Sequence, residues 1–312
     1  MSGIEEIVVV SQKTWLDELV EKFNTKEQAK FYIEHNGGDF TTYLDQHLTY
    51  YQALKNLKRQ LPTSVRYQVI EKSHLPQFLF NDTDLVIVLG RDGLIVNTAK
   101  YLNNQPILGV NPDPTSIHGV LLQFQVSEVQ AILDKILSGN TVLHQVRIAE
   151  AKLHNGQSLL GVNDIFIGHK SHQSARYQIE YNGIIETHSS SGIIVSTGLG
   201  STGWYKSIVS TAVAISNNLL ESDIEISSED YRIPWDSRFL LFCIRESWCS
   251  PSEKTMIHSG KIFEDRRLTI TSMMPDSGVI FSDGIEEDYL PFNSGSTVEI
   301  YLSEKILYLY QK

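Results

Sequence analysis

The fold of this chain is decided by the stretch Asp84-Leu-Val-Ile-Val-Leu-Gly-Arg-Asp-Gly93, in which an apolar run of strand length breaks into Gly-Arg-Asp-Gly. The next segment, from Leu94 to Leu102, carries apolar side chains at helical spacing. A strand, a glycine turn and a helix in this order are typical of an α/β sheet, which binds ligands at the carboxyl ends of its strands. The sequence therefore predicts such a turn at residues 90–93.

Two interpretations of this turn follow from its residues. Glycines let backbone N–H groups approach a phosphate, and the helix N-terminus adds the positive end of its dipole. Asp92 adds a carboxylate that suits a hydroxyl group or a metal ion. Asp and Gly are also ordinary residues of tight turns, so the tetrapeptide alone is equally consistent with a plain turn.

Composition limits the class of protein. The chain has 312 residues, of which 41% are hydrophobic and 20% charged, as expected for a globular protein with a sizeable core. A formal net charge of −11 argues against nonspecific binding to nucleic acid or to anionic membranes. Only Cys243 and Cys249 are present, so neither a disulfide framework nor a zinc site is expected. We predict a cytoplasmic protein with no nucleic-acid or membrane partner.

The order of the apolar runs predicts two domains. Strand and helix patterns alternate up to about Asn140, which indicates βαβ units and a parallel sheet. Beyond that point Asn155-Gly156 and Asn182-Gly183 lie between strand-like runs, a strong signal for β-hairpins. We predict an α/β protein with a doubly wound α/β domain at residues 1–125 and an antiparallel β-rich domain at 126–312. The last strand is left free to rejoin the first domain, and the active site is expected in the cleft between the two.

Two further motifs suggest a nucleotide. In Asn163-Asp164 the amide can donate to and accept from an adenine edge, and the carboxylate can accept from ribose hydroxyls. The alternative is a plain strand that bulges or ends early. Residues 197–204, Thr-Gly-Leu-Gly-Ser-Thr-Gly-Trp, form a second strand–glycine loop–helix junction, rich in N–H and O–H donors. Here the alternative is an ordinary loop with Trp204 as a core anchor.

Taken in order, four motifs resemble those of the NAD kinase (ATP/polyphosphate NAD kinase) family between residues 84 and 303. They are Gly90-Arg91-Asp92-Gly93, Gly109-Val110-Asn111, Asn163-Asp164 and residues 197–202. Trp204 after the loop and Arg245-Glu246 are most similar to the mitochondrial-type branch. Asp283-Gly284 is similar to a late Asp-Gly element of the family.

The resemblance implies phosphorylation of the adenosine ribose 2′-hydroxyl of NAD to give NADP, with Mg²⁺ and with ATP or polyphosphate as phosphate donor. It also implies a homodimer or higher homo-oligomer, and it places the catalytic Asp92 at the hydroxyl. Because a loose transition state needs little early deprotonation, we expect Asp92 to orient the hydroxyl and accept its proton late. The other implied residues are Gly90, Arg91 and Gly93 for phosphate, Asn163 for adenine, Asp164 for ribose, Thr197, Gly198, Gly200, Ser201, Thr202 and Trp204 for NAD, and Asp283 and Gly284 as late-motif contacts.

Arg91 stands where most relatives carry glycine, and this leaves alternatives open. If the position needs a positive φ, a side chain costs about 1–2 kcal/mol and also obstructs a phosphate. The guanidinium is instead well suited to clamp phosphate oxygens. The rival functions are a homologue that binds NAD or NADP without turnover, and a lipid or sugar kinase with the same glycine-Asp-glycine element.

Overall fold

The computed structural model describes residues 3–248 and 256–312. The chain divides into two compact units, Met1–His144 together with Leu307–Lys312, and Gln145–Ile306. Within the described residues no helix combines the length and the apolar character needed to cross a membrane. Cys249 lies outside the described residues, and Cys243 is buried as a free thiol whose pKa is raised to about 12 by burial.

The first unit alternates strands with helices. Its elements are β1 (Glu6–Ser11), α1 (Trp15–Phe23), α2 (Lys26–His35), α3 (Phe40–Gln60), β2 (Arg66–Glu71), a 3₁₀ turn (Lys72–Gln77), β3 (Asp84–Leu89), α4 (Asp92–Ala99), β4 (Ile107–Asn111), β5 (Phe124–Gln125), a 3₁₀ turn (Val126–Glu128) and α5 (Val129–Leu137).

The strands of this unit form a parallel sheet in the order β2-β1-β3-β4, with β5 beside β4. Every residue of β3 and β4 is buried, and so is all of β1 after its first residue, as expected for a parallel sheet covered on both faces. Because parallel strands end at the same edge, the loops after β1, β3 and β4 emerge together at the carboxyl edge.

Local sequence explains where the first helices begin. Thr14 and Asp17 form a capping box at the start of α1, and the Thr25 and Asp39 side chains cap α2 and α3. The unit's main core joins the strands to buried apolar residues of α3 and α5, among them Leu57 and Val129. Helix α5 therefore packs with the first unit, whereas the sequence-based boundary at residue 125 assigned it to the second.

The second unit is rich in antiparallel strands. Its elements are β6 (Leu143–Leu153), which starts in the first unit, β7 (Ser158–Gly161), β8 (Asp164–His169), β9 (Ala175–Tyr181), β10 (Ile184–Ser190), β11 (Ile193–Ser196), a 3₁₀ turn (Gly200–Thr202), α6 (Trp204–Leu220), α7 (Ser228–Tyr231), β12 (Phe239–Ile244), β13 (Ser259–Phe263), β14 (Leu268–Ser272), β15 (Gly278–Ser282), β16 (Ile285–Pro291) and β17 (Thr297–Tyr310), whose last residues belong to the first unit.

One sheet of this unit has the order β13-β12-β11-β8-β15-β16, and a second sheet contains β10-β9-β14-β17 with β6 and β7. A single core cluster draws buried residues from both sheets, including Tyr177 and Phe242. The hairpins predicted at Asn155-Gly156 and Asn182-Gly183 are confirmed by the antiparallel pairs β6–β7 and β9–β10. The predicted fold class, a parallel α/β part followed by an antiparallel β-rich part, is thus confirmed.

Candidate functional site

The Gly-Arg-Asp-Gly turn lies at the carboxyl edge of the first unit's sheet, directly after β3. Tyr50 of α3 supports it by donating a hydrogen bond to the Leu89 carbonyl (3.1 Å) while accepting one from the Gln12 N–H after β1 (2.9 Å). Burial raises the pKa of Tyr50 to about 12, so its hydroxyl stays protonated at neutral pH. The turn is therefore tied to the end of the neighbouring strand.

Arg91 is the N-cap residue of α4 and has an extended backbone, with φ −105° and ψ 166°. An L-residue adopts this conformation without strain, so the strained-turn interpretation of Arg91 is wrong. Its side chain is exposed and makes no hydrogen bond or ion pair with any residue that the structure describes. The guanidinium is therefore available to an anion at this edge.

Asp92 is the first residue of α4, and backbone amides hold its carboxylate from across the edge. The Val120 N–H donates to one carboxylate oxygen (2.7 Å) and the Leu121 N–H to the other (3.0 Å). An ionised carboxylate offers about four lone-pair positions, so each oxygen can still accept one further hydrogen bond. Asp92 is therefore held in one orientation and can still bind a hydroxyl group.

The two glycines of the turn differ in their surroundings. A methyl group on Gly90 would lie 2.7 Å from a terminal methyl of the Leu94 side chain, so a larger residue there would require this side chain to shift. A methyl group on Gly93 would meet nothing within 4 Å. The space above Gly93, at the N-terminus of α4, is open to a ligand.

In the second unit the structure places Asn163 just before β8 and Asp164 at its first residue, so the pair stands at the beginning of the strand. The Asp283 carboxylate accepts hydrogen bonds from the backbone amides of Val162 (3.1 Å), Asn163 (2.6 Å) and Asp164 (3.3 Å). Asp283 and Gly284 form the two-residue turn between β15 and β16, with φ of 58° and 71°. The late Asp-Gly element thus holds the backbone of the Asn-Asp pair.

The loop at residues 197–203 is held to the same pair. Thr197 is fully buried, and its hydroxyl donates to the Val162 carbonyl (2.6 Å) and accepts from the Gly200 N–H (3.2 Å). Ser201 is also fully buried and donates to the Gly198 carbonyl (2.7 Å). Both hydroxyls support the loop, and their contact with NAD stays a prediction.

Glycine is required at two positions of this loop by direct backbone contact. A methyl group on Gly200 would collide with the Asn163 carbonyl oxygen, and one on Gly198 with the Pro234 carbonyl oxygen. No side chain fits at such distances, whatever the backbone conformation. The loop, the Asn-Asp pair and the segment at Pro234 therefore form one close-packed backbone assembly.

Trp204 begins α6 and is half-buried against the outer face of the six-stranded sheet. Its ring stacks on Phe166 (centroids 5.9 Å apart, planes at 11°), and the Arg245 guanidinium lies 5.4 Å from its centroid. Thr202, two residues earlier, is exposed. The Trp204 ring, which the resemblance assigns to NAD binding, thus already has two protein neighbours.

The structure brings the predicted residues together in two groups, one in each unit. Residues 90–93 form the first, and Asn163, Asp164, residues 197–204 and the 283–284 turn form the second. Sequence reasoning missed the amides of residues 120 and 121, because every residue carries an amide and no side-chain pattern marks these two. Among the described residues, no three His, Cys, Asp or Glu side chains converge as a metal site.

Sequence comparison finds relatives that are named NAD kinase. No protein-family model matches the chain. The NAD kinase of Chlorobaculum tepidum is 28% identical over 152 residues, 48% of this chain and 51% of that protein. The NAD kinase of Clostridium kluyveri is 32% identical over 129 residues, 39% of this chain and 44% of that protein. The chain thus spans about half the length of the curated relatives that it matches.

Solved structures resemble nearly the whole chain. An NAD kinase from Archaeoglobus fulgidus in complex with ATP has a TM-score of 0.57 and 14% identity, covering 98% of this chain and 93% of that one. Yeast NADH kinase complexed with NADH also has a TM-score of 0.57 and 14% identity, covering 100% of this chain and 84% of that one. At this identity the likeness shows the fold, and the chain has the fold of these kinases.

Proposed function

We propose that this protein is an NAD kinase, which transfers a phosphoryl group to the adenosine ribose 2′-hydroxyl of NAD and gives NADP. The observation that carries the proposal is the agreement between the two comparisons. Sequence relatives with 28–32% identity are named NAD kinases, and structures with the same fold over nearly the whole chain are an NAD kinase and an NADH kinase. The Asp92 turn and the Asn163-Asp164 pair supply groups that suit this reaction.

Asp92 receives the acceptor hydroxyl in this proposal. Its carboxylate is held by two backbone N–H groups and keeps unused lone pairs on both oxygens. Phosphoryl transfer through a loose transition state depends on positioning and on stabilisation of charge, and little on early removal of the hydroxyl proton. Asp92 therefore orients the hydroxyl and accepts its proton late in the transfer.

The backbone of residues 90–93 and the Arg91 guanidinium bind the phosphates of the donor, ATP or polyphosphate. Arg91 is exposed and unstrained, and its planar fork matches phosphate oxygens. The donor enters as its Mg²⁺ complex, since Mg²⁺ is commonly bound through one or two carboxylates and the substrate phosphates rather than by a protein cage. With the metal, Arg91 offsets negative charge on the transferred group.

The second unit holds the NAD nucleotide. Asn163 binds the adenine edge and Asp164 a ribose, while the loop from Thr197 to Thr202 shapes the pocket around them. Asp283 supports this arrangement by fixing the backbone of the pair, and Trp204 packs beside it on Phe166. We further propose that the protein belongs to the mitochondrial-type branch, forms a homodimer or higher homo-oligomer and is cytoplasmic.

The test is NADP formation by the purified protein, measured with an NADP-dependent coupling enzyme in the presence of NAD and either MgATP or polyphosphate with Mg²⁺. We expect turnover by the wild type and a fall in kcat of about 100-fold or more in Asp92→Asn. Arg91→Gly should raise the KM for the donor and leave the KM for NAD unchanged. Asp134→Asn, an exposed carboxylate on α5, is the matched control and should retain full activity.

Other outcomes would contradict the proposal in recognisable ways. An inactive wild type that becomes active in Arg91→Gly would indicate a nucleotide-binding protein whose donor site Arg91 closes. Turnover that survives Asp92→Asn would remove Asp92 from its proposed role. No NADP formation by any variant would reject NAD as the acceptor and direct the same assay to lipid and sugar hydroxyls.

A further inference from the structure

The Asp92 carboxylate depends on the segment between β4 and β5 for its orientation. Besides the amides of Val120 and Leu121, Gly119 lies directly against it, since a methyl group there would be 2.9 Å from Asp92 Oδ1. The same methyl group would be 2.8 Å from the Leu122 side chain. Only a glycine lets the chain pass this close to the carboxylate and still direct both amides toward it.

This segment is itself closed by the Asn111 side chain at the end of β4. The Asn111 amide nitrogen donates to the Ile117 carbonyl (2.8 Å), and its oxygen accepts from the Asp113 N–H (2.9 Å). The Asp113 carbonyl accepts from the Ser116 and Ile117 amides (3.2 and 2.9 Å). Asn111 thus ties both ends of the turn at residues 112–117, and the amides that hold Asp92 follow within four residues.

Gly109 adds a second support two residues earlier in β4. A methyl group there would lie 2.5 Å from the Leu121 carbonyl oxygen and 2.6 Å from the Ile95 side chain. The glycine therefore lets the backbone of Leu121 approach β4, which sets the depth at which its N–H meets Asp92. Asn111 itself is only 6% exposed, and both polar atoms of its side chain are engaged within this segment.

We propose that Asn111 and Gly119 are positioning residues for the phosphoryl transfer, acting through the backbone amides of residues 120 and 121 on the Asp92 carboxylate. The inference rests on the proposed function, because it matters only if Asp92 receives the acceptor hydroxyl. Without the Asn111 tie or the Gly119 approach, the amides shift and the carboxylate turns away from the hydroxyl. A displacement of about 1 Å is enough to slow such a reaction by about 100-fold.

The experiment compares Asn111→Ala and Gly119→Ala with Thr115→Ala, an exposed residue of the same loop whose hydroxyl bonds only Asp113. We expect the first two to lower kcat by about tenfold to 100-fold, with the KM for NAD and for the donor unchanged. The equilibrium affinity for NAD should also stay at the wild-type value, and Thr115→Ala should retain the wild-type kcat. Thermal unfolding of each variant identifies any that fails to fold. If Asn111→Ala does not fold, Gly119→Ala alone tests the inference, because it removes no hydrogen-bonding side chain.

The double variant Asn111→Ala/Gly119→Ala provides the sharper test. If both residues act on one carboxylate, the double variant loses little more kcat than the worse single variant, because the orientation is already lost. Multiplicative losses, or equal rises in KM and losses of kcat, would contradict the inference and indicate a general structural role. Wild-type kcat in both single variants, with Asp92→Asn inactive, would overturn this inference and leave the proposed function intact. If Asp92→Asn keeps its activity, the fault lies instead in the role proposed for Asp92.

Discussion

At the scale of single residues, the glycines of the two loops differ in how strongly the packing around them requires a residue without a side chain. Gly200 is in contact with the Asn163 carbonyl, so that even a methyl group has no room. Gly93 is exposed within the first turn of α4 and has open space around it. Packing therefore requires glycine at residue 200. At residue 93 no neighbouring atom of the folded chain requires it.

This difference predicts that alanine substitution at the two positions has opposite effects on the free energy of unfolding. Gly93→Ala should raise the free energy of unfolding by about 0.4–1 kcal/mol, because alanine restricts the unfolded chain and suits a helix. It should also raise the KM for the phosphate donor about tenfold, since the methyl group occupies space assigned to a phosphate, which costs about 1.4 kcal/mol. Gly200→Ala should instead lower the free energy of unfolding by about 1–3 kcal/mol through overpacking.

Urea unfolding and steady-state kinetics of both variants check this contrast. A Gly93→Ala protein with an unchanged donor KM would show that phosphate does not approach residue 93. The affinity for NAD is the internal control for Gly93→Ala, since the residues proposed to hold NAD lie elsewhere in the chain.

At the scale of elements, the turn between β15 and β16 stabilises the start of β8. Three consecutive backbone amides, at residues 162–164, would lack their acceptor without the Asp283 carboxylate. Asp283 also has a φ of 58°, a conformation that Asp and Asn tolerate better than alanine. One side chain thus joins two elements that are distant in the sequence, since Asp283 and Asn163 are 120 residues apart.

We therefore expect Asp283→Ala to lower the free energy of unfolding by about 2–3 kcal/mol, because amides are left without an acceptor. Asp283→Asn keeps one acceptor oxygen and tolerates the backbone conformation, so its loss should be smaller, about 1 kcal/mol. Both variants should bind NAD more weakly than the wild type, in the same order, if Asn163 binds adenine. Equal stability of the two variants, measured by urea unfolding, would show that the carboxylate has no such role.

At the scale of the whole molecule, several carboxyl groups are better stabilised as anions in the folded state. Burial alone would raise the pKa of Glu186, but hydrogen bonds from His188 and from the amides of Met256 and Ile257 outweigh it and lower the pKa below 4.5. The pKa of Asp113 is lowered mainly by a hydrogen bond from the Thr115 hydroxyl, and that of Glu128 mainly by one from the backbone N–H of Gln125. Such groups occur in both units.

A lowered pKa in the folded state contributes stability that is fully present above the unfolded value and is lost as the pH falls through the folded value. The free energy of unfolding should therefore decline as the pH is lowered below 4.5, the ordinary pKa of Glu186. Glu186→Gln removes one of these groups, so its stability should fall less steeply over this range. Urea unfolding of both proteins from about pH 7 to about pH 3 tests this, and parallel curves would contradict it.

Whether a feature of this structure could be predicted from the sequence depends on how far apart in the chain the interacting residues lie. The strand at residues 84–89, the glycine turn after it and the hairpins at Asn155-Gly156 and Asn182-Gly183 were predicted correctly. Each depends on neighbouring residues alone: apolar spacing, the permissiveness of glycine and the turn preference of Asn-Gly. The order of these elements also sufficed for the fold class.

The partners of the site residues were decided by the tertiary structure alone. The amides that hold Asp92 lie 28 and 29 residues away, and the path of the chain around Gly119 brings them there. Whether Thr197 and Ser201 direct their hydroxyls at a ligand or at the protein backbone likewise depended on the packing of distant segments. Backbone amides and carbonyls are common to all residues, so side-chain chemistry marks the candidates, and only the folded chain shows which atoms they meet.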